Sequence, residues 1–214
     1  MNSYLITVLV GEKINSDGVA CLKGFVANKS DATVPIQVHA WGPTQEWLKA
    51  TDSKYLIVQG ALSLSKHELV ISATGAWPIP SIDTNRLISQ ANLVGHAGRD
   101  PAGRYFESGS NLAEWTLATN NTPRRGEPNP APDWHNIKAW RQTAQTATDY
   151  VRKGSLIEVS GWLEIEAWTD RSTEDKRWRP VVTCQRLQLL GRRSDAPAVD
   201  APAAARPSVP DRGW

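Results

Sequence analysis

Apolar and polar residues alternate between positions 133 and 140, DWHNIKAW, and this two-residue period predicts a β-strand. One face suits a buried core because it holds small or branched side chains and one imidazole: His135, Ile137 and Ala139. The opposite face combines two large aromatic rings with an amide and an ammonium group: Trp134, Asn136, Lys138 and Trp140. The pattern therefore predicts a strand that carries tryptophans on its solvent side.

The same alternation occurs in two other stretches. In residues 156–168, LIEVSGWLEIEAW, the predicted core positions are Ile157, Val159, Gly161, Leu163, Ile165 and Ala167. The predicted outer positions are Leu156, Glu158, Ser160, Trp162, Glu164, Glu166 and Trp168. In residues 35–41, PIQVHAW, the pattern predicts Ile36, Val38 and Ala40 inside, with Gln37, His39 and Trp41 outside. Tryptophans thus recur on predicted outer faces.

The chain contains an internal repeat with an offset of about 100 residues. Residues 36–62 and 135–163 each hold a strand ending in Ala-Trp, a helix-compatible segment, and an apolar strand ending in glycine. Trp41 corresponds to Trp140 in this alignment. Helical spacing of small apolar residues predicts the second helix over 142–151.

Each repeat predicts three strands, a short helix and two strands. This order favours an all-β chain of two tandem OB-folds, each a five-stranded Greek-key barrel with a short helix. We place a divergent N-terminal OB-fold at 1–78, a proline-containing linker at 79–86 and the second OB-fold at 87–193. Residues 194–214 are rich in alanine and proline, which predicts a disordered tail.

Composition and charge distinguish the two repeats and narrow the class of protein. Tryptophan is frequent, at ten of 214 residues, whereas the net charge is only +2, so charge alone does not predict a polyanionic partner. Every arginine lies at or after Arg86, so cations are concentrated in the second repeat. Cys21 and Cys184 lie far apart and predict reduced core thiols in a cytosolic protein. No apolar run is long enough for a membrane span, and YLITVLVG fits a first strand better than a signal peptide.

Exposed tryptophans on an OB barrel favour stacking on nucleobases, because every base has an aromatic face. Basic residues beside the rings would neutralise phosphates. The candidate basic contacts are Lys138 between two tryptophans, Arg141 after the strand, the loop pair Arg124 and Arg125, and Arg171 and Arg177 near a hairpin tip. Trp115 shares the parity of Ala113 and Leu117, so it is predicted to lie in the core, and Trp47 is predicted to pack from the first helix.

Several motifs in residues 87–193 resemble, in their order and spacing, the bacterial single-stranded DNA-binding protein (SSB) family. NLVGHAGRDPAGRYFESGSNLAEWTLATN, 92–120, is similar to the glycine-containing and Asp-Pro-containing opening of that family and to its Leu-Ala-Thr segment. DWHNIKAW resembles its Trp-His strand, YVRKGSLIEVSGWL its Tyr-x-x-Lys-Gly turn, and WTDRS its Trp-Thr-Asp hairpin. The first repeat resembles the family only through its relation to the second.

The resemblance implies three stacking aromatics in this chain: Trp134, Trp140 and Trp168. The fourth aromatic of the family would fall near Pro123, so Trp162 or Trp178 is the candidate replacement, and Trp41 is the equivalent in the first repeat. Between the strand glycine and the hairpin tryptophan, where the family usually has basic residues, this chain has glutamates at 164 and 166.

The resemblance also implies a role and an assembly. The family binds and protects single-stranded DNA without sequence preference in replication, recombination and repair, which implies a cytoplasmic, nucleoid-associated protein. Members with two OB-folds per chain form homodimers that contain four OB-folds. Many members recruit replication and repair proteins through an acidic tip closed by Pro-Phe, whereas this chain ends VPDRGW.

Other functions stay open on the residues alone. An accessory OB-fold protein could act through protein contacts, OB-folds also bind RNA, and exposed tryptophans stack on sugars in carbohydrate-binding modules. An enzyme is not expected, since the sequence lacks phosphate-loop, zinc-protease and nucleophile-elbow motifs. The four histidines are scattered, so we predict no metal, no cofactor and no catalytic residue.

Overall fold

The structure, a computed structural model, describes the chain in seven stretches: residues 1–16, 19–26, 34–65, 68–81, 87–120, 131–169 and 176–191. Within these stretches β-strands dominate, and each repeat contributes one short helix. The predicted all-β class with two tandem OB-folds is confirmed. The predicted tail at 194–214 lies outside the described residues.

The first repeat forms a closed barrel. Its elements are β1 (Asn2–Ser16), β2 (Val19–Val26), β3 (Val34–Ala40), α1 (Gly42–Ala50), β4 (Tyr55–Ser65) and β5 (Glu68–Ile79). Strand β1 pairs with β2 and β4, β2 pairs with β3, and β3 runs parallel to β5, which returns to β4. The predicted inward residues Ile36, Val38 and Ala40 are buried in this barrel.

The second repeat closes in the same way around a second core. Its elements are β6 (Ser89–Ala97), β7 (Ala102–Tyr105), β8 (Asn111–Thr119), β9 (Asp133–Trp140), α2 (Arg141–Tyr150), β10 (Leu156–Thr169) and β11 (Lys176–Gly191). The ring of pairings runs β6–β8–β9–β11–β10–β6, with β9 and β11 parallel and the short strand β7 on the edge of β8. Helix α2 begins one residue before its predicted start and ends one residue before its predicted end, where the N–H of Val151 donates to the carbonyl oxygen of Ala147.

The two barrels join edge to edge. β1 pairs antiparallel with β6, so all eleven strands belong to one continuous sheet. A buried hydrogen bond also crosses the junction: Tyr4 Oη lies 2.9 Å from Nδ1 of His135, whose Nε2 lies 2.9 Å from Thr119 Oγ1. Strand β5 reaches Ile79, and residues 82–86 of the predicted linker lie outside the described residues. None of the described helices is long and apolar enough to cross a membrane.

The predicted core is confirmed at most positions. Trp115 is 1% exposed, and Trp47 packs against the core of the first barrel. A Cβ atom at Gly161 would overlap the carbonyl oxygen of Thr183, so glycine permits the close approach of β10 and β11 at their register shift. Of the two cysteines, neither of which is in a disulfide, Cys184 is buried and Cys21 is half-buried.

One sequence prediction about the face of a residue was wrong. Ala167 was expected in the core but is exposed, because β10 and β11 continue past the barrel as a two-stranded ribbon, where no third described strand pairs with them. Trp77, near the end of β5, pairs with Ile57 and is 48% exposed.

Candidate nucleic-acid interface

The outer side of β9 presents two open indole rings. Trp134 is 59% exposed at the start of the strand and Trp140 is 40% exposed at its end, as the alternation predicts. Trp134 is paired across the sheet with Ala118, whose methyl group is too small to cover the ring. A Cβ atom at Gly98 would overlap the ring of Trp134, so the indole lies against a glycine backbone. The rings are therefore held at the surface by their strand and are available to a ligand.

Two further tryptophans extend this aromatic surface along β10. Trp162 and Trp168 are exposed, as predicted from their parity. Trp162 of β10 pairs with Thr183 on β11, and Thr183 pairs in turn with Lys138 on β9. The three paired strands therefore bring Trp162 and Lys138 onto one face of the sheet. Trp168 lies beyond the barrel, on the ribbon, where it is paired by its backbone with Arg177.

Trp178 is separated from the other predicted stacking residues. It pairs with Ala167, whose parity is opposite to that of Trp162 and Trp168, so it lies on the other face of the ribbon. Its ring is partly buried and packs against the core. Of the two candidate replacements for the missing fourth aromatic, Trp162 is the one that shares the face of Trp168.

One aromatic neighbour was missed by the sequence analysis. Phe106 follows β7, is 45% exposed and stacks on Trp140, with ring centroids 6.0 Å apart and planes 27° apart. Arg104, on the same strand, is 3.7 Å from Glu114. The exposed Tyr-Phe pair after Arg104 was the available signal, but β7 is too short to be recognised by its alternation.

Arg141 occupies an unusual backbone conformation directly after Trp140. Its φ is 52°, in the left-handed region that disfavours side chains with a Cβ, and its side chain is exposed. The first repeat has Gly42, with φ 59°, at the equivalent position after Trp41. Both repeats thus make the same turn from strand to helix, but the second keeps an arginine where glycine would be unstrained.

Lys138 does not stand free between the tryptophans. Its Nζ is 2.6 Å from Glu164 Oε2 and 3.2 Å from Glu166 Oε1, and Glu166 Oε2 accepts hydrogen bonds from Arg179 Nη2 at 2.8 Å and Nε at 2.9 Å. Burial by itself would lower the pKa of Lys138, but the hydrogen bonds and charges of the two glutamates raise it above its ordinary value. Burial alone would raise the pKa of Glu166, but its hydrogen bonds and charge interactions with Arg179 and Lys138 lower it below its ordinary value. Lys138 and Glu166 are therefore both charged near neutral pH.

A cavity of about 260 Å³ lies where the two barrels meet. Its walls come from both repeats: Tyr4, Leu62, Ser63 and Leu64 from the first, and Pro132, Asp133, Trp134, His135, Asn136, Pro180 and Val182 from the second. Trp134 therefore borders both the open face of the second barrel and a hollow shared with the first.

The first barrel carries fewer exposed aromatics. Trp41 is 43% exposed and its ring contacts His39 edge-on, with centroids 6.3 Å apart. Of the predicted basic contacts, Arg124, Arg125 and Arg171 lie outside the described residues, as does the side chain of Arg177. Among the described residues, no group of histidine, cysteine or acidic side chains is arranged to hold a metal ion.

These features together define an OB-fold protein with an open aromatic face on its second barrel. Comparison with protein families matches residues 88–190 to the single-strand binding protein family. The Single-stranded DNA-binding protein 1 of Synechocystis is 43% identical over 109 residues, which cover 50% of this chain and 88% of that protein. The single-stranded DNA-binding protein of Thermosynechococcus vestitus is 39% identical over 122 residues, 57% of this chain and 98% of that protein. The chain therefore belongs to the single-strand binding protein family.

Solved structures extend the similarity to both repeats. A deletion mutant of the single-stranded DNA binding protein from Thermus aquaticus superimposes with a TM-score of 0.64 at 20% identity, covering 94% of this chain and 98% of that one. The wild-type Thermus aquaticus protein gives a TM-score of 0.60 at 21% identity, covering 92% and 94%. The tandem arrangement of two OB-folds is thus shared at the level of the fold.

Proposed function

We propose that this chain binds single-stranded DNA without sequence preference, by stacking bases on the aromatic face of the second barrel. The observation that carries the proposal is the exposure of four tryptophans on that barrel: Trp134, Trp140, Trp162 and Trp168. Each stacked base contributes roughly 1–3 kcal/mol, and stacking tolerates any base. The names of the cited relatives support DNA as the ligand over RNA, a sugar or a protein partner.

The cellular role follows from this activity. A protein that covers single strands would protect them during replication, recombination and repair, and binding without catalysis needs no cofactor. We further propose a homodimer, which would bring four OB-folds together. Light scattering would test the dimer, since the mass in solution should be twice the 23.5 kDa of one chain.

A fluorescence titration tests the binding proposal. An oligo-dT of about 35 nucleotides is long enough for two OB-folds at up to about 16 nucleotides each. It should quench the intrinsic tryptophan fluorescence at low salt, and the apparent affinity should fall as salt rises, because phosphate contacts release counterions. Absence of quenching at low salt would refute stacking. An affinity for oligo-dT that does not change with salt would show that phosphate contacts contribute little, and would favour a natural ligand without phosphates.

A further inference from the structure

The centre of the aromatic face carries carboxylates rather than free cations. Glu164 and Glu166 are two residues apart on β10, so both project to the side that bears Trp162 and Trp168. The same face receives Lys138 from β9 and Arg179 from β11. Two carboxylates and two cationic side chains thus share a site between tryptophans on one surface, and their formal charges cancel.

The ion pairs leave the acids, not the lysine, at the surface. The side chain of Lys138 is 14% exposed, whereas those of Glu164 and Glu166 are 43% and 35% exposed. Lys138 donates to both glutamates, and Arg179 holds the second oxygen of Glu166. Hydrogen bonds between charged partners are about twice as strong as neutral ones, so Lys138 is not readily released. Arg179 is 47% exposed, but its Nε and Nη2 are both engaged by Glu166, so a phosphate approaching this point meets two carboxylates and one cation that is already paired.

We propose that Glu164 and Glu166 are negative determinants of single-stranded DNA binding. By holding Lys138 and Arg179 they keep phosphates away from the centre of the aromatic face, which is left for bases. Phosphate neutralisation then falls to cations at the rim of the face, and the protein binds more weakly and with a shallower salt dependence than its tryptophans alone would permit. This inference rests on the proposed single-stranded DNA binding and assigns Lys138 a different role from the phosphate contact expected from the sequence.

The test compares two double variants of the full chain that change the net charge equally. Glu164→Gln with Glu166→Gln releases Lys138 and Arg179, and Glu12→Gln with Glu46→Gln removes two carboxylates from the first repeat, one on β1 and one on α1. The first variant should bind oligo-dT roughly tenfold more tightly at low salt. Its log–log salt slope should steepen by up to about 1.4, since each neutralised phosphate of a single strand contributes about 0.7. The control variant should change affinity less than about twofold.

The outcomes separate the inference from the proposed function. If the unsubstituted chain does not bind oligo-dT, the proposed function fails. If it binds, but the cluster variant matches the control in affinity and slope, the proposed function stands and the role of the glutamates is refuted.

A single substitution keeps the test valid if the double variant is unstable. Glu164→Gln removes the nearer of the two carboxylates that hold Lys138 and leaves Arg179 bound to Glu166. We expect it to steepen the salt slope by about half as much as the double variant. A folded Glu164→Gln protein with unchanged or weaker binding would contradict the inference.

Discussion

At the residue scale, burial distinguishes the tryptophans that we propose stack on bases from those that pack in the core. Trp134→Ala and Trp140→Ala should each weaken single-stranded DNA binding by roughly 1–3 kcal/mol and leave thermal stability nearly intact. Trp115→Ala should do the reverse, because removing this 1% exposed ring leaves a cavity that costs roughly 3–5 kcal/mol of stability. Titrations of the three variants with oligo-dT check the predicted affinities, and thermal melts check the predicted stabilities. Unfolded strand variants alongside a stable Trp115→Ala protein would invert our assignment of the faces.

The strained turn at Arg141 gives a second residue-level prediction. Arg141→Gly should relieve left-handed strain of about 1 kcal/mol, which roughly offsets the greater chain entropy that glycine loses on folding. The melting temperature should therefore change little while affinity for oligo-dT falls through loss of the cation. Arg141→Ala is the matched control, since it removes the charge and keeps the strain, so it should lower the affinity similarly and leave the melting temperature near that of the unsubstituted chain. Unchanged affinity in both variants would show that Arg141 does not contribute to DNA binding.

His135 connects stability to pH at the junction of the barrels. Burial, together with the nearby N-terminal ammonium, lowers the pKa of His135 to about 4. Between this value and the ordinary pKa of 6.5, the unfolded chain binds a proton that the folded chain does not, so stability falls as pH falls through this window. Urea unfolding should show a loss of about 2 kcal/mol between pH 7 and pH 5. That loss should shrink in His135→Gln, and an equal loss in this variant would exclude His135 as its source.

At the scale of elements, alternation predicted the faces of β9 and β10 well, because a one-residue shift would bury Lys138 and expose Ile137. It failed at Ala167, since the sequence does not reveal where β10 leaves the barrel. The stack of Phe106 on Trp140 and the bridge from Lys138 to Glu164 each reach across a strand that lies between the two strands involved in the sheet. Such contacts depend on strand order and register, which a single sequence does not specify.

The ribbon formed by β10 and β11 should separate binding from stability within one element. Trp168→Ala should weaken oligo-dT binding with little effect on melting, because the ring is exposed beyond the barrel. Trp178→Ala should lower the melting temperature more, because its ring packs against the core from the other face. If both variants lost affinity equally and melted at the same temperature, both rings would contact the ligand, which would contradict this prediction.

At the scale of the whole molecule, the two repeats share a fold, and we propose that the second contributes most of the binding. They are joined by the β1–β6 pairing and by the Tyr4–His135 hydrogen bond, so separating them would expose a strand edge and a buried histidine. The contribution of each repeat is therefore best measured in the full chain. The second repeat has most of the basic residues and, among the described residues, most of the exposed tryptophans, while the first has lysines but no arginine.

The most direct test of the account compares Trp140→Ala with Trp41→Ala in the full chain, against one oligo-dT at one salt concentration. The two residues hold equivalent positions, each between a barrel strand and its helix, and their exposures are similar at 40% and 43%. If single-stranded DNA binds mainly to the second barrel, Trp140→Ala should lower affinity roughly tenfold or more, and Trp41→Ala by less than about threefold. An equal or larger loss for Trp41→Ala would contradict the assignment of the binding face to the second repeat.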